Sequence, residues 1–423
     1  MQKKRLLAFL LVLASLFSFA GCGAGAPPET TADTAATDAA NTLTAEEQKI
    51  LSDRRDLAEA YMRKMATVLW RASETISYFR SVRDNSTTKM NIVAGRVYRG
   101  IPYSYAGSSD ATFMDVLKDP DANGVYRIET IQGDPKYPAE FAFGALGNDC
   151  SGAVEQAWSQ FGASITFSST KTMASDNGFL PVGEYWTKPD DITYSGTICS
   201  TNGKPVMYAA YAQLQKADAL VRRAESSGHT IMVSKIDVVY TADGAVNGVD
   251  STVTVIEQTS SLQKAERCQF DETIGEDIYP IYKLDQVYSF AELYNEGYLP
   301  ITCKELIDPA PVAEPEIKDS LTAFNKDTIL TGTISCNWAI DKVTVVISDG
   351  SGKEVQRASV VSARGSVYSF DVADRFADTN PLKKCVIGSV DVTKLEAGQY
   401  RCVVLCRLTT GAEHTVRDFT FTL

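Results

Sequence analysis

The stretch Asn148-Asp149-Cys150-Ser151-Gly152-Ala153-Val154 decides the reading of this chain. Behind it, Val154, Trp158 and Phe161 recur at i, i+4 and i+7, and Gly162 supplies a stop. That spacing is one buried face of a helix. Cys150 therefore falls at a helix N-terminus. There the macrodipole and the open N–H groups favour an anion, and the thiolate is the form of cysteine that attacks. Such a nucleophile needs a general base within hydrogen-bond reach.

The 423 residues include only two histidines. His414 lies in the β-rich C-terminal part and reads as a strand or surface residue. His229 opens the run Gly228-His229-Thr230-Ile231-Met232-Val233. His229, Ile231 and Val233 share one face of a strand, because side chains alternate. The histidine extends the apolar face to its end, where a cleft can lie. A second strand is predicted over Ser251 to Thr259, with Val253, Val255 and Glu257 on one face. A polar group that holds the imidazole in its productive tautomer is the expected third partner. Glu257 is the first candidate and Gln258 the second.

These residues resemble the NlpC-type cysteine peptidases and the related CHAP hydrolases, papain-like folds that cut bacterial peptidoglycan peptides. The match runs across roughly 95–260 and is broken by insertions at about 108–147 and 163–215. Asp149-Cys150-Ser151-Gly152 matches the family's DCSG, its most specific motif. Ile101-Pro102-Tyr103-Ser104-Tyr105-Ala106-Gly107 resembles "PYxWGG", with Tyr105 for Trp and Ala106 for Gly. Ala217-Asp218-Ala219-Leu220-Val221 resembles "GDLV", and Gly228-His229 matches the "GH" of the base. Val255-Ile256-Glu257-Gln258-Thr259 resembles the CHAP "vieqN", with Thr259 where Asn is usual.

The resemblance implies an α+β papain-like catalytic domain with Cys150 as nucleophile and His229 as base. It implies Glu257, or Gln258, as the group orienting the ring. Tyr103, Asp149 and Ser151 are implied to line the substrate site, and the Cys150 N–H to join an oxyanion hole. No cofactor or metal is called for. The implied substrates are peptidoglycan stem peptides, with D,L-endopeptidase the first choice and amidase the second. The alternative is a non-catalytic lipoprotein that grips wall peptides or a partner through the same fold.

The N-terminus fits an exported protein. Lys3, Lys4 and Arg5 precede an apolar run from Leu6 to Phe19, the pattern of a secretory signal. Phe19-Ala20-Gly21-Cys22 resembles the lipobox of bacterial lipoproteins, which implies residues 1–21 as signal peptide and Cys22 as the lipidated residue on the membrane. Residues 22–43, rich in Ala, Thr, Gly and Pro, read as a flexible tether.

Thr44 to Glu47 reads as a capping box. Ile50, Leu57, Tyr61, Met65, Leu69, Ala72, Ile76 and Phe79 then predict one long helix, or two in series, across about 45–82. Joined to the mixed helix-like and strand-like segments of 90–306, it makes a catalytic domain over 44–308. Pro309, Pro311 and Pro315 mark a linker. From 317 to 423 the chain shows short alternating segments: Ile329–Cys336, Lys342–Ser348, Glu354–Val361, Val367–Val372, Cys385–Val392, Tyr400–Leu408 and Thr415–Leu423. That density predicts an all-β sandwich. Glu396-Ala397-Gly398-Gln399-Tyr400-Arg401-Cys402 resembles the immunoglobulin D-x-G-x-Y-x-C corner, with Glu for Asp, and the resemblance implies an Ig-like sandwich.

The net charge of −12 argues against a nucleic-acid partner, which needs a basic face. Nine cysteines leave seven beyond Cys22 and Cys150. Export permits disulfides. An Ig-like arrangement would allow Cys336 to bridge Cys402, with Cys385 left for Cys406; reduced, buried thiols are the other reading.

Overall fold

The computed structural model describes residues 43–79, 89–103, 113, 117–128, 147–161, 170, 179–186, 194–259, 268–318, 331–338, 340–361, 367–371, 392 and 395–423. The signal peptide, Cys22, most of the insertion at about 108–147 and part of that at about 163–215 lie outside the described residues. No helix among those described is long and apolar enough to cross a membrane.

Helix α1 (Ala45–Thr67) comes first. Glu47 N donates to Thr44 Oγ1 at 3.2 Å, and Thr44 N donates back to Glu47 Oε2 at 2.7 Å. Two of the open N–H groups at the helix start are thereby satisfied. The predicted helix to about 82 is corrected: α1 stops at Thr67, and strands β1 (Leu69–Ala72) and β2 (Ile76–Phe79) follow. Trp70 and Ala72 are buried while Leu69 and Arg71 are half-buried, a period of two. The backbone there pairs with other strands, so tertiary pairing overrides the helical spacing. Strands β3 (Lys89–Ile92), β4 (Val97–Arg99) and β5 (Tyr126–Ile128) complete this part.

Next come α2 (Cys150–Ser159), β6 (Phe179–Pro181), α3 (Ser195–Tyr211), β7 (Ala219–Arg223), β8 (Gly228–Asp237) and β9 (Thr252–Gln258). Strands β10 (Gln269–Asp271), β11 (Glu276–Pro280) and β12 (Tyr282–Ser289), helix α4 (Phe290–Glu296) and β13 (Leu299–Cys303) follow. Two sheets result, in the orders β10-β11-β4-β1-β5 and β12-β9-β8-β7-β13-β6. The second positions the site. Its centre, with Ile231, Met232, Val233, Val253, Val255 and Ile256, is fully buried. Helices α1 and α2 pack on each other, and both contact β8 and β9. Trp158 Nε1 on α2 donates to Ala217 O at 2.7 Å, which ties the helix to the approach to β7.

The buried face of α1 holds Arg54, Arg55, Ala58, Met62, Met65 and Ala66; the apolar stripe residues Ile50, Leu57 and Tyr61 lie half-buried beside it. Both arginines are engaged in the interior. Arg55 donates to Asp218 Oδ1 at 2.9 Å, to Lys216 O at 2.7 Å and to Leu306 O at 3.0 Å. Burial pushes the Asp218 carboxyl up, and Arg55 pulls against it. Arg54 donates to the carbonyls of Glu305, Asp308 and Ala310 at 2.5–2.7 Å and lies 5.3 Å from the ring of Trp338. It thus straps the 305–310 segment to α1.

The C-terminal part comprises β14 (Glu316–Lys318), β15 (Thr331–Ser335), β16 (Ile340–Asp349), β17 (Glu354–Val361), β18 (Val367–Asp371), β19 (Gln399–Leu408) and β20 (Glu413–Thr422). They form antiparallel sheets β14-β15-β18 and β17-β16-β19-β20. Tyr400 Oη donates to Glu396 O at 2.8 Å, across the corner that the sequence singles out. The predicted strand Cys385–Val392 lies outside the described residues except for Val392. Cys336, Cys402 and Cys406 are free thiols. The bridge between Cys336 and Cys402 is therefore not formed; the Cys336 thiol donates instead to Ala313 O at 3.2 Å. Cys385 lies outside the described residues.

Removing one partner of a buried ion pair strands the other charge. Arg55→Met is expected to cost about 3–5 kcal/mol of folding stability, read as a lower midpoint in urea unfolding. The double variant Arg55→Met/Asp218→Leu should recover part of that loss. An unchanged midpoint in the single variant would show that the pair carries no such role.

Candidate active site

Cys150 is the first residue of α2, and Asp149 is its N-cap. Gly152 N donates to Asp149 Oδ1 at 2.6 Å, and Ser151 Oγ donates to the same oxygen at 2.9 Å. Asp149 and Ser151 line the cleft, and they also hold the start of the helix to each other. All ten residues of α2 are buried, so the thiol is presented from a fixed element, 6% exposed.

His229 stands near the start of β8. Its Nε2 lies 2.7 Å from Glu257 Oε2. The Cys150 thiol lies near enough to the same ring to act on its charge. With Nε2 taken by the carboxylate, Nδ1 is the nitrogen available to the thiol. Burial opposes a charge on this imidazole. The interactions with Cys150 and Glu257 outweigh it and raise the pKa to about 9. Met232 pairs with Ile256 in the β8–β9 ladder, which brings Glu257 diagonally within reach of His229 on the same face.

Glu257 is almost wholly buried. Its second oxygen accepts from Tyr288 Oη at 3.1 Å and is ion-paired with Lys283 Nζ. Burial pushes this carboxyl up, but the His229 and Lys283 contacts prevail and bring it to about 2. Gln258, the neighbouring candidate, points to the other side of β9. Its Nε2 donates to Ile101 O at 3.2 Å and Pro102 O at 3.1 Å. Gln258 thus fixes the segment leading to Tyr103, while Glu257 faces the imidazole.

Tyr103 is buried, bridges Asn148 and lines the cleft. Gly147 makes that approach possible. It has φ +86°, and a Cβ there would sit 2.1 Å from Pro102 O. Gly228 has a related role, since a Cβ on it would sit 2.0 Å from Thr170 Oγ1. The cleft has a volume of about 630 Å³ and is lined by Tyr103, Cys150, Arg222, His229, Glu257 and Tyr298, among others. Thr259, in the place where CHAP proteins usually have Asn, also lines it. His414 lies elsewhere, on β20, with Nδ1 2.6 Å from Glu314 Oε2.

The other buried thiols contrast with this setting. Burial pushes Cys199 up to about 11 and Cys402 and Cys406 up to about 12. They stay protonated at neutral pH and act as small hydrophobes. Among the described residues no group of three or more His, Cys, Asp or Glu side chains is placed to hold a metal.

Sequence reasoning missed Lys283, Tyr288, Arg222 and Tyr298. No regular pattern in the sequence joins Lys283 and Tyr288, which lie an odd number of residues apart on β12.

No known family model matches this chain, and no curated protein matches it. Among solved structures, CopC from Methylosinus trichosporium OB3b aligns over 26% of this chain and 89% of its own length, at 14% identity and TM-score 0.14. A tetra-tandem repeat from the extending region of a large adhesion protein aligns over 49% of this chain and 41% of its own, at 14% identity and TM-score 0.20. Likeness at these scores carries no argument about fold or activity.

The pairing of His229 and Glu257 has a definite pH signature. The histidine value of about 9 lies above its ordinary 6.5, so its stabilisation is complete below 6.5 and is lost as pH rises through 9. The Glu257 value of about 2 lies below its ordinary 4.5, so that stabilisation is present above 4.5 and is lost as pH falls through 2. The His229 ring-proton NMR resonance should titrate near 9 in the wild type. In Glu257→Gln it should titrate clearly lower, because burial still opposes the charge and only Cys150 remains to favour it. Identical titration in both proteins would refute the pairing.

Proposed function

We propose that this chain is an exported cysteine hydrolase of the NlpC/CHAP type, cutting amide bonds in peptidoglycan stem peptides. The observation that carries this reading is the 2.7 Å contact of His229 Nε2 with Glu257, on a ring whose charge is also favoured by the Cys150 thiol at a helix N-terminus. In this proposal residues 44–308 form a papain-like domain on a lipid anchor at Cys22. Residues 317–423 form an Ig-like sandwich, a reading supported by seven strands in two sheets and the Tyr400 corner bond.

The chemistry follows from the arrangement. Cys150 attacks the peptide carbonyl carbon as a thiolate, its proton held on His229. The C–N bond breaks as the imidazolium gives that proton to the leaving amine, and a thioester remains. Water then attacks the thioester, His229 takes its proton, and the thiolate departs. The Cys150 N–H, at the first turn of α2, has no partner within the helix and is placed to donate to the oxyanion. Glu257 keeps the ring oriented and stabilises its charge, while Lys283 and Tyr288 hold Glu257. D,L-endopeptidase action is the first choice of bond and amidase action the second.

Purified soluble protein should release fragments from murein sacculi. Cys150→Ala and His229→Ala should each lower the rate by about 10³-fold or more, and Glu257→Ala by about 10²- to 10⁴-fold. Iodoacetamide should label Cys150 quickly near neutral pH in the wild type and slowly in His229→Ala. Release unchanged in both Cys150→Ala and His229→Ala would sink the hydrolase. Binding to sacculi without release, together with slow labelling, would instead favour a wall-binding lipoprotein.

A further inference from the structure

The cleft beside Cys150 carries charge that hydrolysis itself does not use. Among the described residues three acids line it, Asp149, Glu257 and Glu296, and all three are committed. Asp149 caps α2, Glu257 holds His229 and Lys283, and Glu296 accepts from Arg222 at 3.0 Å. Of the described residues, the cations Arg222, Arg223 and Lys283 line it as well.

Arg222 stands directly opposite His229 in the β7–β8 ladder. Residues so paired have Cβ atoms about 4.5–5.5 Å apart and share a face. The Arg222 guanidinium is held by Glu296 through Nη1 and lies 5.4 Å from the ring of Tyr298. One edge of the fork is anchored, and the remaining donors of its five N–H groups are open to a ligand. Arg223, where β7 ends, has no carboxylate partner among the described residues. Its Nε is buried and has no hydrogen-bond partner. By alternation its side chain leaves β7 on the face opposite to Arg222 and His229. The whole chain has a net charge of −12, so adjacent arginines at this cleft are not a reflection of composition.

We infer that Arg222 forms an anion subsite that binds a carboxylate of the substrate peptide next to the amide to be cut. The identity of that peptide rests on the hydrolase reading; the presence of the subsite does not.

Binding can be measured with the chemistry switched off. Cys150→Ala protein is titrated calorimetrically with soluble muropeptides, and with the same muropeptides after conversion of their carboxylates to amides. The carboxylate form should bind more tightly. Arg222→Met, added to Cys150→Ala, should lower its affinity roughly 10- to 100-fold, the worth of a charge-assisted hydrogen bond. Affinity for the amidated form should not move, and Arg222→Lys should restore part of the loss. Equal affinity for both forms, or equal losses for both forms in the Arg222→Met variant, would overturn the subsite. Selective binding by a wild-type protein that releases nothing from sacculi would remove the hydrolase and leave the subsite standing. Release without carboxylate selectivity would do the reverse.

Discussion

The arrangement at the cleft depends on where the charge of Glu257 goes. A carboxylate taken out of water must be met by cations and donors, or it neutralises. Glu257 meets three such groups: the His229 ring, Lys283 and the Tyr288 hydroxyl. They come from two strands flanking β9, namely β8 and β12. The local order of the sheet and the orientation of the imidazole are therefore one problem with one solution. If either flanking strand slipped by one residue, its contribution would turn to the opposite face.

The β12 side of that solution depends on an irregularity. Lys283 pairs with Glu257, but from Gln286 onward the register has shifted by one, so that Tyr288 pairs with Val253. In a regular strand, residues 283 and 288 point to opposite faces, being an odd number apart. The bulge between them puts both on the face of Glu257. Asp285, at its centre, adopts φ 53° and receives Arg63 from α1 at 3.0–3.2 Å. A distortion held from the helix side thus gives the carboxylate two partners from one strand.

The same physics explains what could be read from the sequence. Cys150, His229 and Glu257 were legible because each extends a regular pattern: a helix of period 3.6 that begins at the thiol, and two strands whose apolar faces end in the polar residue. Lys283 and Tyr288 were not legible, since alternation without the bulge separates them. The end of α1 was misplaced for a related reason. Leu69 and Ala72 fit a helical stripe as well as a strand, and only the pairing of β1 with β4 and β5 decides between the two. Arg54 and Arg55 would be assigned to a solvated face by their type. They are buried because carbonyls and Asp218, from segments more than 150 residues away, converge on them. The choice between Glu257 and Gln258 was open because both sit on one strand and only the position of β8 shows which face holds the histidine.

Contacts between the two parts of the chain bear on the nucleophile as well. Helix α2 carries Cys150 at its start, and just past its end Gln160 O accepts from Thr409 Oγ1 of the β-rich part. Trp338 Nε1 donates to that same threonine at 2.8 Å, and its ring lies over Arg54, which in turn grips the 305–310 segment. A short chain of contacts therefore runs from α1 through the linker and the C-terminal sheets to the far end of α2. The start of the same helix is fixed by the Asp149 cap and by Asn148, which donates to Gln156 Oε1 at 2.8 Å and accepts from Tyr282 at 3.2 Å. A helix held at both ends and buried along its length cannot shift its first residue without disturbing one of these anchors. The β-rich part, which contributes no described residue to the cleft lining, thereby meets the far end of the helix that carries the sulfur.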